Sequence, residues 1–379
     1  MRRMLIFAVA TAGALSAVLV GIAGAANSHS AAPVCPSAFA AARCTAWVVT
    51  DAQGNPQASS SPTGLPPATI KSVYNFPTSL TAGAGLTVAI VDAYDDPSAE
   101  GDLNVFSSQY GLPACTTANG CFQKVDQNGG TNYPRTNAGW ALEISLDVQW
   151  AHAIAPGAKI LLVESNSNSF ANLLAAEDYA SAHASYVSNS WDGSEFSSES
   201  GYDSHFTGAG VSYFFSSGDS GLPAEYPSAS PNVISVGGTT LNFDRFGTFL
   251  SETGWSGSGG GCSAYETANS VQSGFSEYGQ VDCNGKRATP DVSLDADPNS
   301  GVSVYDSTRY QGQKGWWQVG GTSASCPMWA GRSADAGAQV DASYVYGNFV
   351  NYRDITSGNN GANALVGFDL VTGRGSWTG

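Results

Sequence analysis

Apolar runs alternate with helical periodicity along most of this chain. Leu86-Thr-Val-Ala-Ile-Val91 is apolar over nearly its whole length and leads into the polar loop Asp92-Ala-Tyr-Asp-Asp-Pro97. The same kind of run recurs at Lys159–Glu164, Tyr186–Ser190, Val211–Ser216 and Val233–Val236. Between these runs, Ser98–Tyr110, Ala141–Ala153 and Phe170–Ala184 carry the spacing of helices, the second closed by Pro156-Gly157. Strands that are apolar on both faces and separated by helices predict an α/β fold. A mainly parallel central sheet would be covered by helices on both faces. Residues 27–67 are rich in Ala, Ser and Pro and weakly patterned, which reads as a short arm and linker. Residues 254–285 read as a Gly/Ser-rich loop region. No internal repeat is visible.

The first 26 residues form a separate unit. Met1-Arg-Arg-Met4 is positive, Leu5–Ala23 is apolar and broken by small residues, and Gly24-Ala-Ala-Asn27 offers a small-residue cleavage point after Ala26. This predicts a secretory signal peptide with no basic stop-transfer flank, and no membrane anchor once it is removed. The remainder divides into the arm, 27–67, and one globular domain, 68–379. Export makes disulfides the expected state of the cysteines, of which there are seven. Proximity along the chain pairs Cys35 with Cys44, Cys115 with Cys121 and Cys262 with Cys283. Cys326 is left over, and its apolar neighbours suit a buried, inert thiol.

Composition narrows the partners. The net charge is −16, from 15 basic and 31 acidic residues, which argues against nucleic acid and anionic membrane surfaces. Protein or peptide partners remain, and a monomer is expected.

The most specific chemistry lies in Val319-Gly-Gly-Thr-Ser-Ala-Ser-Cys-Pro327. A turn of small residues places Ser323 at the start of a helix, where free N–H groups favour developing negative charge. Such a serine needs a base. The four histidines offer little: His29 is in the arm, His183 and His205 lie in segments with no catalytic signature, and only His152 is a rival. Carboxylates offer more. Glu143 and Asp147 are four residues apart, on one face of a helix that is apolar nearly all round, so burial would make them share protons. Asp219, in Ser217-Gly-Asp-Ser220, follows an apolar strand at the end where ligands bind in open α/β sheets.

Glu143-x-x-x-Asp147, Ser217-Gly-Asp-Ser220 and Gly321-Thr-Ser323, in that order, resemble the sedolisin family of serine-carboxyl peptidases. Shorter stretches support the likeness from roughly Pro67 onward, among them Ser188-Asn-Ser-Trp191 and Pro290-Asp-Val292. The resemblance implies a subtilisin-like three-layer fold and a secreted, acid-active endopeptidase. Ser323 would be the nucleophile and Glu143 its base. Asp147 would orient Glu143, and Asp219 would be the acid of the oxyanion hole. It also implies one structural Ca²⁺, held by Asp354 and Asp369 with backbone oxygens of Ile355, Leu365 and Gly367. Asp92 is read as structural or substrate-adjacent. Roughly forty residues separate the expected cleavage point from the family-like region, too few for a separately folding pro-segment with a substantial core. Two alternatives stand beside this: a binding protein that keeps the fold without turnover, and a neutral serine peptidase using His152.

Overall fold

The computed structural model describes residues 30–36, 41–347 and 351–379. The expected signal peptide and His29 lie outside the described residues. The core is a ten-stranded sheet. Its parallel part runs in spatial order Val292–Asp295, Ile234–Phe243, Ser212–Ser216, Tyr186–Asn189, Thr87–Ala93, Lys159–Ser165 and Phe122–Asp126. The strands expected from apolar runs are present, because a strand buried on both faces needs no polar alternation. Val88 to Val91 and Phe214 to Phe215 are fully buried.

Helices cover both faces. Ala138–Ile154 and Thr322–Ala336 pack against each other and on the sheet, while Phe170–His183 lies on Thr87–Ala93 and Lys159–Ser165. The helix expected over 141–153 starts three residues earlier, because the Asn137 side chain accepts from the N–H groups of Gly139 and Trp140, at 3.0 and 3.3 Å. This is ordinary N-capping. From Trp140 to Ile154 every residue of that helix is buried.

The helix carrying Ser323 begins at Thr322 and runs through Pro327. The proline removes the N–H that would reach the carbonyl of Ser323, a single lost bond near the helix start. Gly321 precedes the helix at φ +90°, a conformation that favours glycine. The region read as a loop, 254–285, contains the strand Gly261–Thr267, paired antiparallel with Lys286–Thr289.

Residues 30–36 and 41–50 are built into the fold. Ser30–Pro33 and Trp47–Thr50 join Gln313–Gly320 and Val302–Tyr310 in a four-stranded antiparallel sheet. Arg43–Cys44 instead joins Trp191–Ser194 and Glu225–Tyr226. The disulfides are Cys35–Cys44, Cys115–Cys121 and Cys262–Cys283, as chain proximity suggested, and Cys326 is free and buried.

Candidate active site

Ser323 is fully buried at the start of its helix. Its hydroxyl lies 2.8 Å from that of Thr45, which in turn donates to Ser216 Oγ at 2.7 Å. Either hydroxyl can donate in the Thr45–Ser323 contact.

Asp219 sits at the same helix end. Its Oδ1 accepts from the Thr322 N–H at 2.7 Å and from the Thr322 hydroxyl at 2.8 Å, while its Oδ2 has no partner. The carboxyl thus caps the helix with one oxygen and leaves the other free. Burial outweighs these hydrogen bonds and pushes its pKa up to about 8, with the charge of Asp192 adding to the rise. A neutral Asp219 therefore carries its proton on Oδ2 and can donate from it.

Glu143 and Asp147 project from the Ala138–Ile154 helix, four residues apart and fully buried. Burial, then the charge of Asp147, holds Glu143 well above the usual carboxylate range; proximity to Ser323 and to the Ala46 N–H opposes this. Neither group closes a well-formed hydrogen bond, and both Glu143 oxygens remain unpartnered. Asp147 is raised by burial and accepts from Ser190 Oγ at 2.9 Å. Asp92 joins them: it is fully buried, both its oxygens lack partners, and its pKa is raised by burial and then by Asp147 and Glu143. Three buried carboxyls this close cannot all ionise, so they titrate as a set.

His152 is not part of this group. It is buried, its Nε2–H donates to the Pro113 carbonyl at 2.9 Å, and burial lowers its pKa to about 4. His183 is bonded to the Tyr179 carbonyl and His205 to Asp178, both away from Ser323. The Cys326 thiol is pushed up by burial and bonded to the Asn189 carbonyl, as an inert thiol would be.

Two features escaped the sequence reading. The first is Thr45, inside the presumed arm, whose one local signal is the strand-like Trp47-Val-Val-Thr50 beside a cysteine. The second is the membership of Asp92 in the acid set, which depends on its strand lying under the carboxylate helix. Trp191 borders the site through its backbone; its ring is buried and its Nε1–H donates to the Val91 carbonyl at 3.1 Å. Glu195 reaches across to the 254–263 region, accepting from the Ala264 N–H at 3.0 Å and from the Ser263 hydroxyl.

At the far end of the chain, Asp354 and Asp369 converge on the turn 365–367. Both Asp354 oxygens accept from the Gly367 N–H at 3.1 Å, and Asp369 Oδ2 accepts from the Leu365 N–H at 2.9 Å. Glu277 adds a third carboxylate, accepting from the Phe368 N–H at 3.0 Å. Carboxylates and backbone carbonyls are the donors a hard divalent cation takes, so the residue types fit such an ion.

Comparison with known proteins places the chain in a family. The subtilase family model matches residues 127–342, a span that contains Glu143, Asp147, Asp219 and Ser323. Kumamolisin from Bacillus sp. (strain MN-32) is 30% identical over 363 residues, covering 84% of this chain and 63% of that protein. Sedolisin from Pseudomonas sp. (strain 101) is 32% identical over 206 residues, covering 44% of this chain and 33% of that protein. The chain thus spans less than two thirds of the length of these relatives. Among solved structures, Pseudomonas sedolisin, a serine-carboxyl proteinase complexed with two molecules of pseudo-iodotyrostatin, superposes with a TM-score of 0.69 at 28% identity, covering 84% of this chain and 96% of that one. A lanthipeptide protease at 14% identity and TM-score 0.50 shares the fold alone. With its parallel sheet, its serine at a helix start and its buried carboxyls, the chain belongs to the subtilase family and, within it, is similar to the sedolisins.

Proposed function

We propose that this protein is a secreted endopeptidase that hydrolyses peptide bonds of proteins or peptides in acid, through an acyl-enzyme on Ser323. One observation carries the reading: Ser323 lies at a helix start with Glu143 and Asp219 beside it, while His152 is engaged elsewhere. Glu143 accepts the Ser323 proton as Oγ attacks the carbonyl carbon, then returns it to the leaving nitrogen. Asp147 orients Glu143 and holds the proton the acid set shares, itself fixed by Ser190. The Ser323 N–H and the protonated Asp219 Oδ2 donate to the oxyanion. Water then releases the acyl group by the same steps in reverse.

The pH dependence follows from these states. Asp219 donates only when protonated, so activity falls as pH rises through about 8, a limit set further towards base than an ordinary carboxyl would allow. Glu143 accepts only when ionised, so activity also falls once the acid set is fully protonated. Ca²⁺ in this proposal is held by Asp354, Asp369 and the carbonyls of Ile355, Leu365 and Gly367, and ties the C-terminal turns together. The expected signal peptide and the three disulfides support secretion. The chain acts as a monomer.

The test is digestion of denatured protein at acid and neutral pH by wild type, Ser323→Ala and Glu143→Ala. Loss of cleavage in both variants is expected. Activity of Ser323→Ala equal to wild type ends the reading.

A further inference from the structure

Cys115, Cys121 and His152 meet apart from the acid set. Both Sγ atoms and a ring nitrogen of His152 lie within 4.8 Å of one another. Among the described residues, no other group of three potential metal ligands so close includes a cysteine or a histidine. Cys115 and His152 are fully buried, and Cys121 is partly exposed. The Nε2–H of His152 is held by the Pro113 carbonyl at 2.9 Å, which leaves the lone pair on Nδ1, and Nδ1 has no partner. A metal-bound imidazole is arranged in the same way, its second N–H donating to an oxygen that fixes the tautomer.

The supports of this group do not depend on the S–S bond. Asn119 closes the loop 114–121: its Oδ1 accepts from the N–H groups of Thr116 and Cys121, both at 3.0 Å, and its Nδ2 donates to the Ala114 carbonyl at 2.7 Å. The Cys121 carbonyl accepts from the Ile160 N–H at 2.8 Å, which docks the loop on the central sheet. His152 projects from the Ala138–Ile154 helix, buried on every side there. The two cysteine Cα atoms are 4.8 Å apart. Reduction therefore leaves two thiols and one imidazole on rigid elements, within reach of a single ion. Two thiolates and an imidazole are donors that Zn²⁺ takes, at about 2.3 Å for sulfur and about 2.0–2.1 Å for nitrogen. The fourth tetrahedral position falls to water on the exposed side of Cys121.

We propose that Cys115, Cys121 and His152 form a Zn²⁺ site of the reduced chain, which keeps these two cysteines paired until they are oxidised to the disulfide. A chain whose disulfides form on export is made first where thiols stay reduced. There Zn²⁺ binds both sulfurs as thiolates, and their two protons pass to solvent. The oxidant is a small-molecule disulfide. One cysteine sulfur attacks it, breaking its S–S bond and expelling one thiolate. The second cysteine sulfur then attacks the first, forming the 115–121 bond and expelling the other thiolate. Two electrons pass from the cysteines to the oxidant, and Zn²⁺ leaves with its sulfur donors gone. Until then the ion withholds both sulfurs from the remaining cysteines. The order of these events rests on the secretion proposed above; the site itself does not, and neither depends on the Ser323 chemistry.

The test reduces the full chain with a water-soluble phosphine, without oxygen at neutral pH, and titrates it with Co²⁺ and then Zn²⁺. Circular dichroism follows the fold in each sample. The expected result is one Co²⁺ per folded chain, with a thiolate-to-cobalt charge-transfer band that Zn²⁺ abolishes. Cys115→Ser, Cys121→Ser and His152→Gln should each weaken binding by at least about tenfold, while Cys35→Ser and Cys262→Ser leave it unchanged. Oxidation of the zinc-loaded chain with glutathione disulfide should release one Zn²⁺ per chain, and peptide mapping should recover the 115–121 pair in higher yield than from metal-free chain. A folded wild type without the cobalt band overturns the site. So does a band that survives both Cys115→Ser and His152→Gln, or a reduced chain that stays unfolded with Zn²⁺ present. Equal yields with and without Zn²⁺ overturn the role in pairing.

Discussion

Replacing Asp219 tests the oxyanion assignment most sharply, because its two oxygens have separate duties. Oδ1 is engaged by the Thr322 N–H and hydroxyl at 2.7 and 2.8 Å, and Oδ2 is free to donate. A rise from 3.8 to about 8 means the neutral acid is favoured by four pKa units, or on the order of 6 kcal/mol at ~1.4 kcal/mol per unit. At pH 5 the proton is therefore present in nearly every molecule. Asp219→Ala removes that donor and the helix cap together. Loss of one oxyanion donor costs about 2.7–4 kcal/mol, so kcat should fall roughly 10²–10³-fold. Asp219→Asn has the same shape: its amide oxygen can take the Thr322 N–H while its NH₂ donates at every pH. It should retain kcat within about tenfold and lose the fall in activity near pH 8. Steady-state kinetics across pH 3–10 on a peptide substrate provide the assay, with circular dichroism to show that both variants fold. An Asp219→Ala enzyme within threefold of wild type, or an Asp219→Asn enzyme with an unchanged alkaline limb, would refute the reasoning.

Further outcomes are expected elsewhere. Glu177 and Asp306 are buried acids raised to about 8 and about 9, chiefly by burial. Like Asp219, they bind protons more tightly folded than unfolded, so their stabilisation is complete below pH 4 and is lost as pH rises through 8–9. Calorimetry should show Tm falling steadily between pH 4 and 9; a Tm that rises over that range contradicts the assignment. Arg287 is fully buried, forks onto both oxygens of Asp291 and also reaches the Ser230 and Val233 carbonyls. Arg287→Met leaves that carboxylate buried without its charge partner and should cost about 3–5 kcal/mol in urea unfolding. Removing Ca²⁺ with a chelator should lower Tm reversibly, and Asp369→Ala should abolish the difference; a Tm indifferent to chelator in wild type argues against the ion.

The sheet and its helices were legible because parallel strands are apolar over their length and the helices between them carry a clear period. The four acid and serine positions were legible because each sits in a short, ordered motif. What was not legible depends on distant pairing. Thr45 meets Ser323 across 278 positions, and the strand carrying Arg43 is two residues long, too short for alternation to appear. Asp92 lies at a strand end like many structural aspartates; its coupling to Glu143 and Asp147 arises only when the Ala138–Ile154 helix packs over its strand. The pKa of Asp219, higher than acid-only activity would suggest, reflects the burial of its own carboxyl at the start of the Ser323 helix, although its loop neighbours Ser220 and Leu222 are exposed.

The central claim is that Ser323 is a nucleophile driven by carboxylates. The most direct measurement is mass spectrometry of enzyme quenched during turnover of an activated ester at acid pH. An acyl group on Ser323 is expected in wild type, with its formation strongly slowed in Glu143→Gln and unchanged in His152→Gln. An acyl group on another residue, or formation that depends on His152 and not on Glu143, would contradict the account.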